Sequence, residues 1–188
     1  KLAAIPDVDR KGDRLTGRRI VAASSLIDVG QADGAIVWAP HGRDSFARLF
    51  SLDGEQPVEA MRAVQLADRK GIAVAFRRGN MVVVGAARGE SVLEPEGELS
   101  KLSGLGQVGS PALAASGDRV IVAWADRAGP QDDWQIRMAR VKLGSSTEEA
   151  TTFTVPEGGL GGHAMSPSIA PLGAGRFLLA WTEGPVSN

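Results

Sequence analysis

Cysteine and tyrosine are absent from this 188-residue chain, and histidine occurs only twice. Without cysteine there is no disulfide framework, no thiolate metal site and no cysteine nucleophile. His41 and His163 are too few for a three-histidine zinc site, and no HExxH pair occurs. An excess of one charge is also missing. Lys and Arg number 21 against 22 Asp and Glu, a net charge of −1. That balance leaves no electrostatic footprint for nucleic acid. No apolar run approaches the roughly 18 residues of a membrane span. The longest, such as 120–125 and 177–181, are strand-sized. The opening residues KLAAIPDVDR hold neither an initiator Met nor a long apolar stretch of the signal-peptide kind. The chain therefore reads as a mature, processed or trimmed product.

Turn formers and short apolar runs are plentiful. There are 24 Gly and 10 Pro, and 43% of the residues are hydrophobic. That apolar content is too high for a disordered chain, and the length suffices for one sizeable core. Residues 1–18 are polar, carry little periodicity and read as a leader or linker. Beyond them, runs rich in Val, Ile and Ala alternate with turn signals at 30–34, Asp53-Gly54, Arg78-Gly79-Asn80, Gly117-Asp118 and Gly173-Ala174-Gly175. Long helical periodicity is missing, although Pro57–Asp68 suits a helical turn or two as well as a strand. The pattern predicts an all-β fold: a sandwich, a barrel or a propeller.

Internal repetition favours the last. GAIVWAP (34–40), GIAVAFRR (71–78), RVIVAWADR (119–127) and RFLLAWTEG (176–184) each run from a turn through an apolar stretch to an aromatic. The aromatics are Trp38, Phe76, Trp124 and Trp181, each read as a wedge between neighbouring sheets. Ser110-Pro111 and Ser166-Pro167 open the preceding strands of the last two repeats. IVAASSLI (20–27) and RAVQLAD (62–68) stand in that place in the first two. A further strand follows in SFARLFSL (45–52), NMVVVGAA (80–87) and WQIRMARVKL (134–143). Strand, tight turn, aromatic strand, loop and outer strand make most of a four-stranded propeller blade. The expected units are 19–61, 62–109, 110–165 and a partial 166–188, a propeller or propeller segment of about four blades with the last incomplete. An open ring would expose sheet edges, so the expectation is a piece of a longer polypeptide or a ring completed by another chain. A β-sandwich with coincidental repeats is the plainer alternative.

SPALAASGDRVIVAWADR followed by DDWQIRMARV, and its partner SPSIAPLGAGRFLLAWTEG, resemble the repeats of bacterial secreted or surface β-propeller proteins. The likeness spans 110–184 well and 20–87 weakly. The sialidase Asp-box, the kelch double glycine at repeat spacing and the WD40 pairing are absent. The resemblance implies an extracytoplasmic, non-catalytic scaffold that binds a protein partner or the remainder of its ring. It implies nothing about a ligand.

Candidate chemistry is sparse. Gly104-Leu-Gly106-Gln-Val-Gly109 matches GxGxxG, but a strand follows where a dinucleotide site needs a helix, so it reads as a loop between repeats. Asp7, Asp9 and Asp13 resemble a calcium loop. Lys11, however, stands where an oxygen ligand is needed, and Arg18 where the closing Glu belongs. Asp126, Asp132, Asp133 and Trp134 bracket the longest strand connection of the third repeat, a pattern that suits stacking on a sugar with hydrogen bonds to its hydroxyls. Asp126 and Glu183 end equivalent strands, and two such acids could serve a glycosidase. The structural reading has them capping strands or pairing with arginines. A carbohydrate-binding or carbohydrate-active propeller is thus the alternative to a scaffold. His41 lacks a catalytic partner and reads as a surface turn residue, and His163 lies in a Gly-rich loop with no GxSxG nearby. Arg137 and Arg140, on an outer strand, are expected to face solvent or a partner.

Overall fold

The computed structural model describes residues 3–4, 18–21, 27–32, 34–40, 47–52, 57–66, 71–88, 96–103, 106–117, 119–142, 151–154 and 163–184. The regular elements among them are all β-strands, in antiparallel sheets. The first sheet holds β1 (Ala3–Ala4), β2 (Arg18–Val21), β3 (Ile27–Ala32), β4 (Ala35–Pro40) and β5 (Ala47–Ser51), in that order. The second is β6 (Glu59–Gln65), β7 (Gly71–Arg78), β8 (Met81–Arg88) and β9 (Glu96–Ser103). In the third, β10 (Gln107–Val108) and β11 (Ala112–Ser116) both pair with β12 (Arg119–Arg127), followed by β13 (Gln135–Lys142) and β14 (Thr151–Thr154). A hairpin of β15 (His163–Gly173) and β16 (Arg176–Gly184) completes the set.

The turns explain this order. Ala32–Ala35, Arg78–Met81, Ser116–Arg119 and Gly173–Arg176 are joined by two-residue connections. Each includes a glycine at positive φ, between 60° and 71° at Gly34, Gly79, Gly117 and Gly175. Such backbone matches the right-handed twist of the flanking strands and costs glycine little. Pro57–Asp68, ambiguous in sequence, yields the strand β6 rather than helix.

The sheets stack in chain order. Val29, Ile36 and Phe50 of the first sheet pack on Ile72, Val74 and Phe76 of the second. Ala73, Ala75, Val82 and Val84, on the other face of the second, meet Val120, Val122 and Trp124 of the third. Ala123, Ala125 and Ile136 of the third then meet Ala164, Ile169, Leu179 and Trp181 of the hairpin. β7 and β12 are thus covered on both faces, which is why their sequences are near-continuous apolar runs rather than alternating ones. Phe76, Trp124 and Trp181 all point back at the preceding sheet, with Phe76 and Trp124 fully buried.

One irregularity recurs at the same register. Glu59 pairs with Arg77 and Arg62 with Ala75, so two residues of β6 oppose Phe76 alone. Met165 pairs with Thr182 and Ser168 with Ala180, so two residues of β15 oppose Trp181. In the third sheet Gly109 N donates to Ala125 O at 2.8 Å and Ala112 pairs with Ala123, which leaves Ser110 and Pro111 opposite Trp124. Three β-bulges therefore face the three aromatics. The Ser-Pro pairs sit in two of them, where a residue without an N–H removes no ladder bond.

Trp38 departs from this scheme. It pairs directly with Val29 with no bulge opposite, and it packs toward the sheet that follows rather than one that precedes. The strand paired with β4 is β3, beginning at Ile27, rather than the expected 20–27. The expected three strands per repeat also understate the sheets, since β9 and β14 add an outer strand to the second and third.

Candidate functional site

Trp124 and Asp126 are two apart on β12, so they share a face, and Arg137 lies directly across from Trp124 on β13. Geometry then brings the three together. The indole N–H of Trp124 donates to Asp126 Oδ2 at 3.3 Å, and Arg137 Nη1 donates to the same oxygen at 3.2 Å. The Arg137 guanidinium lies over the Trp124 ring, 5.8 Å from its centre. Asp126 is 0% exposed and the Arg137 side chain 20%. Asp126 is therefore enclosed, and Arg137 turns inward to it instead of meeting solvent as expected. Arg140, three residues on and hence on the opposite face, is exposed.

The hairpin repeats half of this unit. Trp181 donates its indole N–H to Glu183 Oε1 at 2.9 Å. In the first sheet the residue two beyond Trp38 is Pro40, which has no side-chain acceptor. Trp38 Nε1 is buried and has no partner among the described residues. In the second sheet the Phe76 side chain has no N–H to satisfy.

Asp132, Asp133 and Trp134 lie on the connection from β12 to β13, just before Gln135, which pairs with Asp126. Asp132 and Asp133 are exposed and Trp134 half-buried. Arg127 organises this loop. Its guanidinium stacks on Trp134 at 4.7 Å, Nε donates to Gln107 Oε1 at 2.7 Å and Nη1 to Pro130 O at 3.0 Å. His163 of β15 receives the Trp134 backbone N–H at Nδ1, 3.2 Å away, with Asp133 Oδ1 at 3.4 Å. Ala164 N donates to Trp134 O at 2.8 Å. Trp134 thus fastens the loop to the hairpin, with one ring face taken by Arg127. Nothing in the sequence joined Arg127, Gln107 or His163 to Trp134, because sheet pairing across distant segments brings them here.

Within GxGxxG, Gln107 and Val108 pair with Arg127 and Asp126, and the described part of the motif runs on into a strand. A Cβ on Gly106 would fall 2.2 Å from Ala128 O, a backbone atom that cannot turn aside. The glycine serves close chain approach. Gly106→Ala is expected to destabilise the fold by about 2 kcal/mol, in the range of an overpacked site. An unchanged urea midpoint would refute that account.

Asp7, Asp9, Asp13 and His41 lie outside the described residues. Among those described, no group of three or more His, Asp or Glu is placed to hold a metal ion, and no helix is long and apolar enough to cross a membrane. No family model, curated protein or solved structure matches the chain.

Proposed function

We propose that the chain is a non-catalytic β-propeller scaffold for protein binding or assembly, acting outside the cytoplasm as part of a larger chain or complex. The fate of the acids carries the reading. Asp126 is enclosed with Arg137, Glu183 holds the indole of Trp181 on another sheet, and Asp132 and Asp133 stand exposed on a loop. Paired catalytic carboxylates both face one accessible cleft, whereas Asp126 is fully buried and tied to Arg137, and Glu183 is tied to the Trp181 indole. A propeller is favoured by sheets stacked in sequence whose strands just ahead of the aromatic strand adjoin: β6 touches β11, and β11 touches β15. The same bulge opposite each of three aromatics argues that these sheets are copies of one unit.

Carbohydrate binding is the second reading, favoured by exposed Asp132 and Asp133 beside Trp134. Titration with a panel of oligosaccharides and aryl glycosides separates the two. The scaffold reading expects neither saturable binding nor turnover. Saturable binding lost in Trp134→Ala, or hydrolysis lost in Asp132→Asn or Asp133→Asn, would overturn it.

A further inference from the structure

β16 pairs only with β15 among the described residues, so no described strand takes up the backbone donors and acceptors of its other edge. Its counterpart β12 is paired on both sides. The repeat relation places Trp181, Glu183 and Leu178 where the third sheet has Trp124, Asp126 and Ile121. There the acid is met by Arg137 from the adjoining strand, which lies directly opposite the tryptophan. At β16 the acid and the indole are already joined, but among the described residues no guanidinium reaches Glu183. Leu178, on the face of β16 turned away from the third sheet, is 56% exposed, whereas its counterpart Ile121, on the hairpin-facing side of β12, is 3% exposed. An apolar strand with one edge unpaired among the described residues, ending in a carboxylate whose equivalent is ion-paired, specifies what fits beside it.

We propose that this edge of β16 binds an extended polypeptide strand by antiparallel β-augmentation, with an arginine of that strand opposite Trp181 and bonded to Glu183. The partner is a peptide segment of alternating apolar residues around that arginine, like Gln135–Lys142 of this chain. Backbone hydrogen bonds supply affinity, and the Arg–Glu pair sets register and specificity. A one-residue slip would place the arginine on the other face, away from Glu183. This rests on the scaffold reading, but its test is separate, because saccharide titration reports on Trp134 and not on this edge.

The probe is a fluorescein-labelled peptide WQIRMARVK, residues 134–142, titrated with the full chain and followed by anisotropy. Saturable binding is expected. Changing the peptide's first arginine to glutamine should weaken it about tenfold, the scale of one charge-assisted hydrogen bond. Glu183→Gln in the chain should weaken the original peptide to the same extent and abolish the difference between the two peptides. Glutamine still accepts from the Trp181 indole, which favours an intact hairpin, and circular dichroism checks it. If Glu183→Gln loses strand signal, Glu183→Asp keeps the charge and should retain the preference for arginine. No binding of the original peptide, or equal binding of both peptides to the unaltered chain, would overturn the proposal.

Discussion

Asp126→Ala is expected to destabilise the chain by about 3 kcal/mol, the low end for removing one partner of a buried ion pair. The low end applies because the Arg137 side chain keeps 20% exposure and can draw some hydration. The loss has two parts. The Trp124 indole N–H is left in a dry interior, and Arg137 is left charged between β-sheets with Nε already buried and without a hydrogen-bond partner among the described residues. Asp126→Asn should cost less, about 1–2 kcal/mol, because an acceptor for the indole survives while the charge does not. The double variant Asp126→Ala with Arg137→Met should recover part of the deficit, since neither charge then remains buried. Raising sodium chloride should barely alter the difference, as an enclosed pair is poorly screened. Urea unfolding followed by tryptophan fluorescence measures all of this. A single-variant change below about 0.5 kcal/mol, typical of surface substitutions, would show that the pair is not structural.

The second large effect is expected at Trp124 itself. Trp124→Ala should cost about 4 kcal/mol, the range for emptying a large aromatic site in a packed core. The indole is fully buried between the second and third sheets, against residues such as Val82, Val84 and Val122. It also lies opposite the Ser110-Pro111 bulge, whose extra residue it faces. Trp181→Ala, at a half-buried position on the hairpin, should cost clearly less. Thermal unfolding of the two variants side by side gives the order. Equal losses would mean that the third sheet and the hairpin are equally enclosed, against the exposure of Leu172 and Leu178.

Much of the fold was legible because its signals are local. Turn chemistry marked the hairpins at Gly34, Gly79, Gly117 and Gly175, each of which requires a backbone that glycine tolerates. Continuous apolar runs marked β7 and β12 as strands covered on both faces. The edge strands β9 and β14, EGELSKLS and TTFT, carried no such signal, because an outer strand is not bound to be apolar on both sides. Trp38 packs between the first and second sheets, but without the bulge seen opposite the other aromatics. GAIVWAP has the right local pattern, but neither its sheet register nor the face it packs against is written in seven residues.

The candidate site divides in the same way. Trp-x-Asp and Trp-x-Glu are visible in the chain, and the two-residue period of a strand puts both members on one face. Which acid is free and which is enclosed depends on the neighbouring strand. Arg137 meets Asp126 only because β12 and β13 pair with Trp124 opposite Arg137. The sequence by itself determined the strand class, the turns and the recurrence of an aromatic near each strand end, since backbone sterics and hydrophobic periodicity act over a few residues. Only the tertiary structure decided that Asp126 is enclosed with Arg137, that Trp134 is a clasp held by Arg127 and His163, and that β16 pairs with β15 alone among the described residues. Those outcomes depend on register and on burial between sheets, which arise from contacts among segments far apart along the chain.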